Sequence, residues 1–430
     1  MAAMVMGDFS DCGSKALPTM ASLQTGGVLL ALAIACVLAS SADAADNDLQ
    51  AAIVASKPIV DVRMRYENVD QDPLPKDAEA STLRIRAGFE TGKWLQTSLL
   101  AEGESVIPLQ DDFNSTTNGK TQYPVVADRE NHEVNRLQLT NTALPQTTLT
   151  LGRQRILLDD QRFVGNVGWR QNEQTFDALR VVNKTIKNLT VDASYINQVN
   201  RVFGKDSPQG RYEGDSYLAN VSYQFPLGKL TGFGYFLEFD PIAAVPAAVR
   251  DSSKTYGVRF AGEKPVAKAK LAYVLSYATQ EDYGDNPLSF EDDYYLAELT
   301  GSFAQYSLGV GYEVLEGDGV KGFTTPLATL HKFQGWVDKF LVTPANGIED
   351  TYVNAGATFK TVGPLDLLAV LLSYHSYEAE HSSADYGSEV NAQLVAKLKR
   401  FTATLKYGDY DADELLTDTS KYWFQVEYAW

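Results

Sequence analysis

From residue 57 onward, segments of period-two hydrophobicity are joined alternately by very short turns and by long polar stretches. This alternation is the strongest constraint on what the chain can fold into. The turns include Thr91-Gly92-Lys93, Leu144-Pro145-Gln146, Pro226-Leu227-Gly228, Lys264-Pro265-Val266-Ala267 and Val362-Gly363-Pro364. The long stretches include 106–131, 157–172, 200–214, 279–291 and 316–349. A sandwich or a β-helix has no reason to alternate this way, whereas an outer-membrane barrel has short turns at one end and long loops at the other. The pattern predicts strands over 58–68, 80–91, 93–105, 132–143, 147–156, 173–185, 188–199, 215–225 and 229–239. Those that follow are 253–263, 268–278, 292–303, 305–315, 350–360, 365–378, 388–399, 401–409 and 420–430. Eighteen is an even number, as a single-chain bacterial barrel requires. The expected fold is all-β: one closed antiparallel transmembrane barrel, with both termini on the short-turn, periplasmic side.

The faces of these segments agree with a barrel. Val60, Val62, Met64 and Tyr66 alternate with Asp61, Arg63, Arg65 and Glu67, and Tyr306, Leu308, Val310 and Tyr312 with Ser307, Gly309, Gly311 and Glu313. Each set places apolar side chains toward lipid and polar ones toward a lumen. The segment 365–378 is apolar on both faces and fits less well. At the end of the chain, Tyr422, Phe424, Val426, Tyr428 and Trp430 share one face, with Trp423, Gln425 and Glu427 on the other. This is the pattern of a closing strand that pairs with the first, beside Arg63 and Arg65. Tyr422–Trp430 is also the expected handle for the barrel-assembly machinery.

Residues Val28–Leu38 form an apolar run of signal-peptide length, followed by the small-x-small pattern Ala42-Asp43-Ala44. Cleavage after Ala44 leaves 1–44 as a signal peptide and 45–430 as one barrel domain. Both cysteines, Cys12 and Cys36, fall in the removed part, which excludes disulfides and thiolate chemistry from the mature chain. No segment has the length of an apolar membrane helix. With 23 Tyr and 19 Phe the chain is too rich in rings to be disordered, and a formal charge of −18 argues against a nucleic-acid partner.

The acids concentrate in the long stretches, as at Asp111-Asp112, Asp159-Asp160 and Glu291-Asp292-Asp293, whereas many bases sit within strands. Arg63, Arg65, Arg84, Arg86, Arg136, Arg259, Lys397, Lys399 and Lys406 have inward phases, while the phases of Arg153, Arg155 and Arg180 stay open. An arginine facing lipid at the midplane costs roughly 2–4 kcal/mol, which favours placement in the lumen or near the loops. Such a lumen attracts anions, because the guanidinium fork matches a carboxylate. The competing reading is structural: arginines paired with Asp61, Glu67, Glu90 and Glu102 stiffen the wall. His132, His331, His375 and His381 show no ligand spacing and read as loop or rim residues. No nucleophile elbow or phosphate loop occurs, so no enzyme, metal or cofactor is expected.

One segment goes beyond general barrel grammar: Leu151-Gly-Arg-Gln-Arg-Ile-Leu-Leu-Asp-Asp-Gln-Arg-Phe-Val-Gly-Asn-Val-Gly-Trp-Arg-Gln-Asn-Glu-Gln-Thr-Phe-Asp177. With Asn118-Gly-Lys-Thr-Gln-Tyr-Pro-Val-Val-Ala-Asp128, Ala80-Ser-Thr-Leu-Arg84 and Asn200-Arg-Val-Phe-Gly204, it resembles the alginate-export family of outer-membrane proteins. The resemblance implies an eighteen-stranded, monomeric barrel whose basic lumen conducts an anionic uronate polysaccharide. It implies that Arg84, Arg153 and Arg155 line the pore; the competing reading of 152–177 is an inward-folded loop that conserves shape without touching substrate, with Asn166, Trp169 and Arg170 as its candidate pore-loop residues. The function expected is passive, anion-selective passage of uronate-type polysaccharide or small anions through the bacterial outer membrane. The partners are then lipid and lipopolysaccharide outside, and anionic oligosaccharide or small anions inside. The alternative is a non-conducting structural or adhesive barrel whose acidic loops bind cations and lipopolysaccharide.

Overall fold

The structure, a computed structural model, describes residues 48–242 and 246–430. The expected signal peptide and both cysteines lie outside the described residues. A short helix, α1 (Leu49–Val54), is capped by the Asp48 carboxylate, which accepts from the Gln50 and Ala51 amides. Then come β1 (Lys57–Gln71), β2 (Ala78–Glu90), β3 (Thr97–Asp112), β4 (Asn131–Asn141), β5 (Thr147–Gln154), β6 (Thr175–Asn183), β7 (Leu189–Asn200), β8 (Arg211–Phe225) and β9 (Gly228–Leu237). The second half holds β10 (Ser253–Val266), β11 (Ala269–Asp282), β12 (Glu291–Phe303), β13 (Tyr306–Leu315), β14 (Ile348–Val362), β15 (Leu365–Glu378), β16 (Asp385–Leu398), β17 (Phe401–Asp411) and β18 (Thr419–Ala429).

Every strand pairs antiparallel with its sequence neighbours, and β1 also pairs with β18, so the sheet of 18 strands has no edge. Closure matters physically because lipid offers no partner to a free backbone amide or carbonyl. The outward positions carry large apolar side chains around the whole circumference. Met64 is 54% exposed, Leu308 60% and Phe424 49%, and similar residues line almost every other strand. An apolar belt of that extent is stable only against lipid. Inward neighbours on the same strands, such as Arg65, Glu313 and Gln425, are buried.

The expected strands all appear; β5 and β6 stop short of their expected ends, and those that run longer do so for one reason. Hydrogen bonding continues past the apolar belt, where side chains no longer alternate in polarity. Thus β3 runs on to Asp112 and β8 begins at Arg211. The turn between β2 and β3 is not Thr91-Gly92-Lys93 but Leu95-Gln96, both at positive φ, with the Trp94 and Thr97 amides bonded reciprocally at 2.9 Å. β15 keeps its doubly apolar character, with inward Leu367 and Leu371 only half-buried toward the short-turn end.

Candidate functional site

Two long loops leave the rim and fold into the barrel. The 155–174 loop and the 316–347 loop join each other there: Gly165 N donates to Leu327 O at 2.9 Å, and Thr329 N donates to Gln161 O at 3.0 Å. The Gln174 side chain donates to both Gly165 O and Leu327 O at 2.9 Å. Leu158 and Val164 of one loop and Phe323, Leu327 and Phe340 of the other pack against inward Phe233, Tyr235, Tyr294 and Tyr377. The lumen therefore contains a small hydrophobic core, which stiffens the constriction as a core stiffens a soluble domain.

Polar contacts pin this plug to opposite walls. Register places Arg63 beside Arg84, and Asp61 beside Arg86, so β1 and β2 present a row of four arginines. Arg63 donates to the carbonyls of Gly168, Trp169 and Arg170 at 3.0–3.3 Å, Arg65 to the Trp169 carbonyl, and Arg86 to the Gln171 carbonyl at 3.4 Å. Arg65 also holds Asp128 of the 113–130 loop at 2.9 Å. Across the barrel, Arg162 pairs with Glu313 at 2.8 Å, and the Trp336 and Val337 amides donate to Glu389. Glu298, Glu313, Asp350 and Glu389 make the wall from β12 to β16 acidic, facing the basic wall of β1 and β2.

At the junction of both loops with β17 and β18 lies an aromatic cluster. Trp169 and His331 stack at 4.7 Å, and Trp423 meets both edge-on at 5.9 Å. The Lys406 ammonium sits over Trp169 at 4.3 Å and Trp336 at 3.9 Å, while the Arg65 guanidinium covers Trp169 at 4.2 Å. Lys406 Nζ donates to His331 Nε2 at 2.6 Å, and His331 Nδ1–H donates to Asp338 at 2.7 Å. That chain requires neutral imidazole. Burial, and then Lys406, outweigh the pull of Asp338 and push His331 down to about 3. His331 is a loop residue as read, but its loop folds inward and buries it, whereas His375 is neither loop nor rim: it lies on β15, buried inside the barrel against Asp350 at 3.0 Å.

The structure places the sequence-derived bases as follows. Arg84 pairs with Asp61, Arg63 with Glu427 at 2.8 Å, and Arg86 with Glu104. Arg136 forks onto Glu102 at 2.7 and 2.9 Å, and Arg155 onto Glu173. Arg180 faces inward and forks onto Asp192, and Arg259 reaches Asp160 at 3.1 Å. Glu173 is pushed up by burial, but Arg86 and Arg155 outweigh this and hold it at about 2. Lys397 has the inward phase but lies exposed near the short-turn end, without an ion pair among the described residues. Asn166 donates to Glu173 at 2.7 Å, and Arg170 bridges Glu67 and Asp338 at 3.2 and 2.6 Å, which puts both, with Trp169, in the plug.

Arg153 departs from the pore-lining placement. It sits opposite Leu137 and Asp177, in phase with exposed Leu139 and Leu151, so it lies on the outer face of the wall and forks onto Asp177 at 2.7 and 2.9 Å. Glutamine at Arg153 is expected to leave ion selectivity unchanged, whereas glutamine at both Arg63 and Arg84 lowers the anion-to-cation permeability ratio in a salt-gradient measurement. Residues missed in the sequence include the acidic wall and Arg162. Lys406 showed its inward phase, and Trp423 is its cross-strand partner on β18, but the Trp169 and Trp336 rings that complete its cage come from two distant loops and left no local signal.

No family model and no curated protein sequence matches the chain. Solved structures do. OpdK of Pseudomonas aeruginosa, crystallised with vanillate, superposes with a TM-score of 0.68 at 15% identity, over 88% of this chain and 99% of that one. OpdL of the same organism gives 0.67 at 17% identity, and OccK9 (OpdG) 0.68 at 16%, each over 88% of this chain and 99% of its own. At such identities the likeness defines the class, an eighteen-stranded barrel of the outer-membrane type. It does not single out the alginate-export family suggested by the 151–177 segment.

Proposed function

We infer that the barrel is a passive channel of the bacterial outer membrane for small organic anions, with long loops outward and both termini periplasmic. The observation that carries this is Arg84. It is fully buried in the row between Arg63 and Arg86, and its Nε and Nη1 have no hydrogen-bond partner among the described residues. A buried guanidinium with unpartnered donors keeps this stretch of the lumen wall electropositive, which favours an anion passing along it. Its carboxylate-paired neighbours supply the weak, exchangeable contacts that conduction needs. The crystal structure of the similar OpdK barrel with vanillate, an aromatic carboxylate, supports the same cargo class.

A uronate polysaccharide is the finer form of this reading, and the plug weighs against it. A polymer strand needs a continuous wide path, while two cross-linked loops divide this lumen. Small carboxylates, including single uronate units, fit better. In planar bilayers under a salt gradient, the reversal potential is expected to show anion preference near neutral pH; cation preference overturns the reading. Glucuronate is expected to carry current where uronate oligomers only block it. The rival reading, a non-conducting structural barrel, is favoured by how many lumen arginines already hold carboxylates, and a folded barrel without conductance would support it.

A further inference from the structure

On the loop side of the plug lies a cavity of about 590 Å³ whose lining includes Arg170, Arg201, Asp338, Lys339, Thr419 and Lys421. The charges along it are not balanced pair by pair. Asp338 is already spent: it accepts from Arg170 at 2.6 Å and His331 at 2.7 Å, and Lys421 lies 3.8 Å away. Lys339 donates to the Thr419 hydroxyl at 2.9 Å and to Thr417 at 3.5 Å, and forms no ion pair among the described residues. Across the cavity, Arg201 stacks on Tyr212 at 4.2 Å, also without a carboxylate.

We propose that Lys339 and Lys421 form an oxyanion-binding subsite on the loop side of the constriction, distinct from the arginine row, with the Thr419 hydroxyl, itself donating to Thr417 O at 3.1 Å, holding Lys339 in place. The proposal rests on the channel reading above for its place on a route, not for its chemistry. Lys421 has only the spent Asp338 at 3.8 Å and Lys339 has no ion pair among the described residues, so an arriving oxyanion neutralises the repulsion between the two ammonium groups while taking the protons that Lys339 leaves free. The groups facing Lys339 are Lys421 and Asp418 beside β18, Glu389 on β16, Asp338 on its own loop, and the Tyr410 ring of β17 at 5.6 Å. Burial, and then Lys421, push the Lys339 ammonium down to about 8. The subsite therefore weakens as pH rises through that value. At pH 9 about one molecule in ten keeps the charge, and apparent affinity falls roughly tenfold from its value at pH 6.5.

Sodium sulfate and sodium benzoate serve as probes, because both stay fully ionised across this range and any pH dependence belongs to the protein. Titration calorimetry on the detergent-solubilised full barrel is expected to show binding at pH 6.5 and roughly tenfold weaker binding at pH 9. Lys339→Arg should bind equally at both pH values, and Lys339→Met at neither. Tighter benzoate assigns the site to organic carboxylates, and tighter sulfate to free inorganic oxyanions. Absence of binding to the unmodified barrel at pH 6.5, or binding that survives in Lys339→Met, overturns the subsite. Calorimetry needs no transport, so a conducting barrel that fails to bind loses only this proposal, and a binding barrel that does not conduct loses only the channel.

Discussion

Arg65→Met is expected to unpin the constriction and raise single-channel conductance. Arg65 and Asp128 are both almost fully buried, and Arg65 joins the 113–130 loop, the Trp169 carbonyl, the Trp169 ring and Gln425 of the closing strand. Removing the cation leaves Asp128 buried without its main partner, which costs about 3–5 kcal/mol. The Arg65→Met, Asp128→Asn pair removes both charges and should recover most of that stability, because a buried ion pair gains little over neutral groups of similar shape. Thermal unfolding in detergent reads the first effect and bilayer recording the second. If Arg65→Met lowers stability while open-channel current stays unchanged, Arg65 does not hold the loop in the conduction path.

The second large effect is expected at Trp169. Its ring is shared by Arg65, His331, Lys406 and Trp423, so it ties the 155–174 loop to the other inner loop and to β1, β17 and β18 at once. Trp169→Ala should cost about 3–5 kcal/mol and release both loops, giving higher and noisier conductance and new protease cleavage within 155–174. Trp94→Ala is the control, since that side chain is 42% exposed in the short turn between β2 and β3, away from both inner loops. Quiet, unchanged current in Trp169→Ala would mean that the backbone and carboxylate contacts alone hold the plug.

The legible part of this site was the part written in strand periodicity. Arg63, Arg65, Arg84 and Arg86 alternate with apolar residues over long strands, so their inward phase followed from the pattern, as did the pairing of β18 with β1 beside them. Arg153 escaped because β5 spans only Thr147–Gln154, with threonines on both faces and Gly152 at a φ of +111°. His331 read correctly as a loop or rim residue, but a loop position carries no periodicity, so its burial follows only from the fold-back of 316–347.

What the sequence determined by itself was the barrel: the number of strands, their faces, their order and the end at which the loops lie. The period of a strand is two, and a one-residue slip would turn every apolar side chain to the wrong side, so the information is local and repeated. Tertiary structure alone decided which loops enter the lumen and which charges meet. Arg63 with Glu427, Arg170 with Asp338 and Lys406 with His331 are separated by 364, 168 and 75 positions. Such contacts depend on the closed wall bringing distant loops into one dry space, where an unpaired charge is costly and each loop settles where its charges find partners.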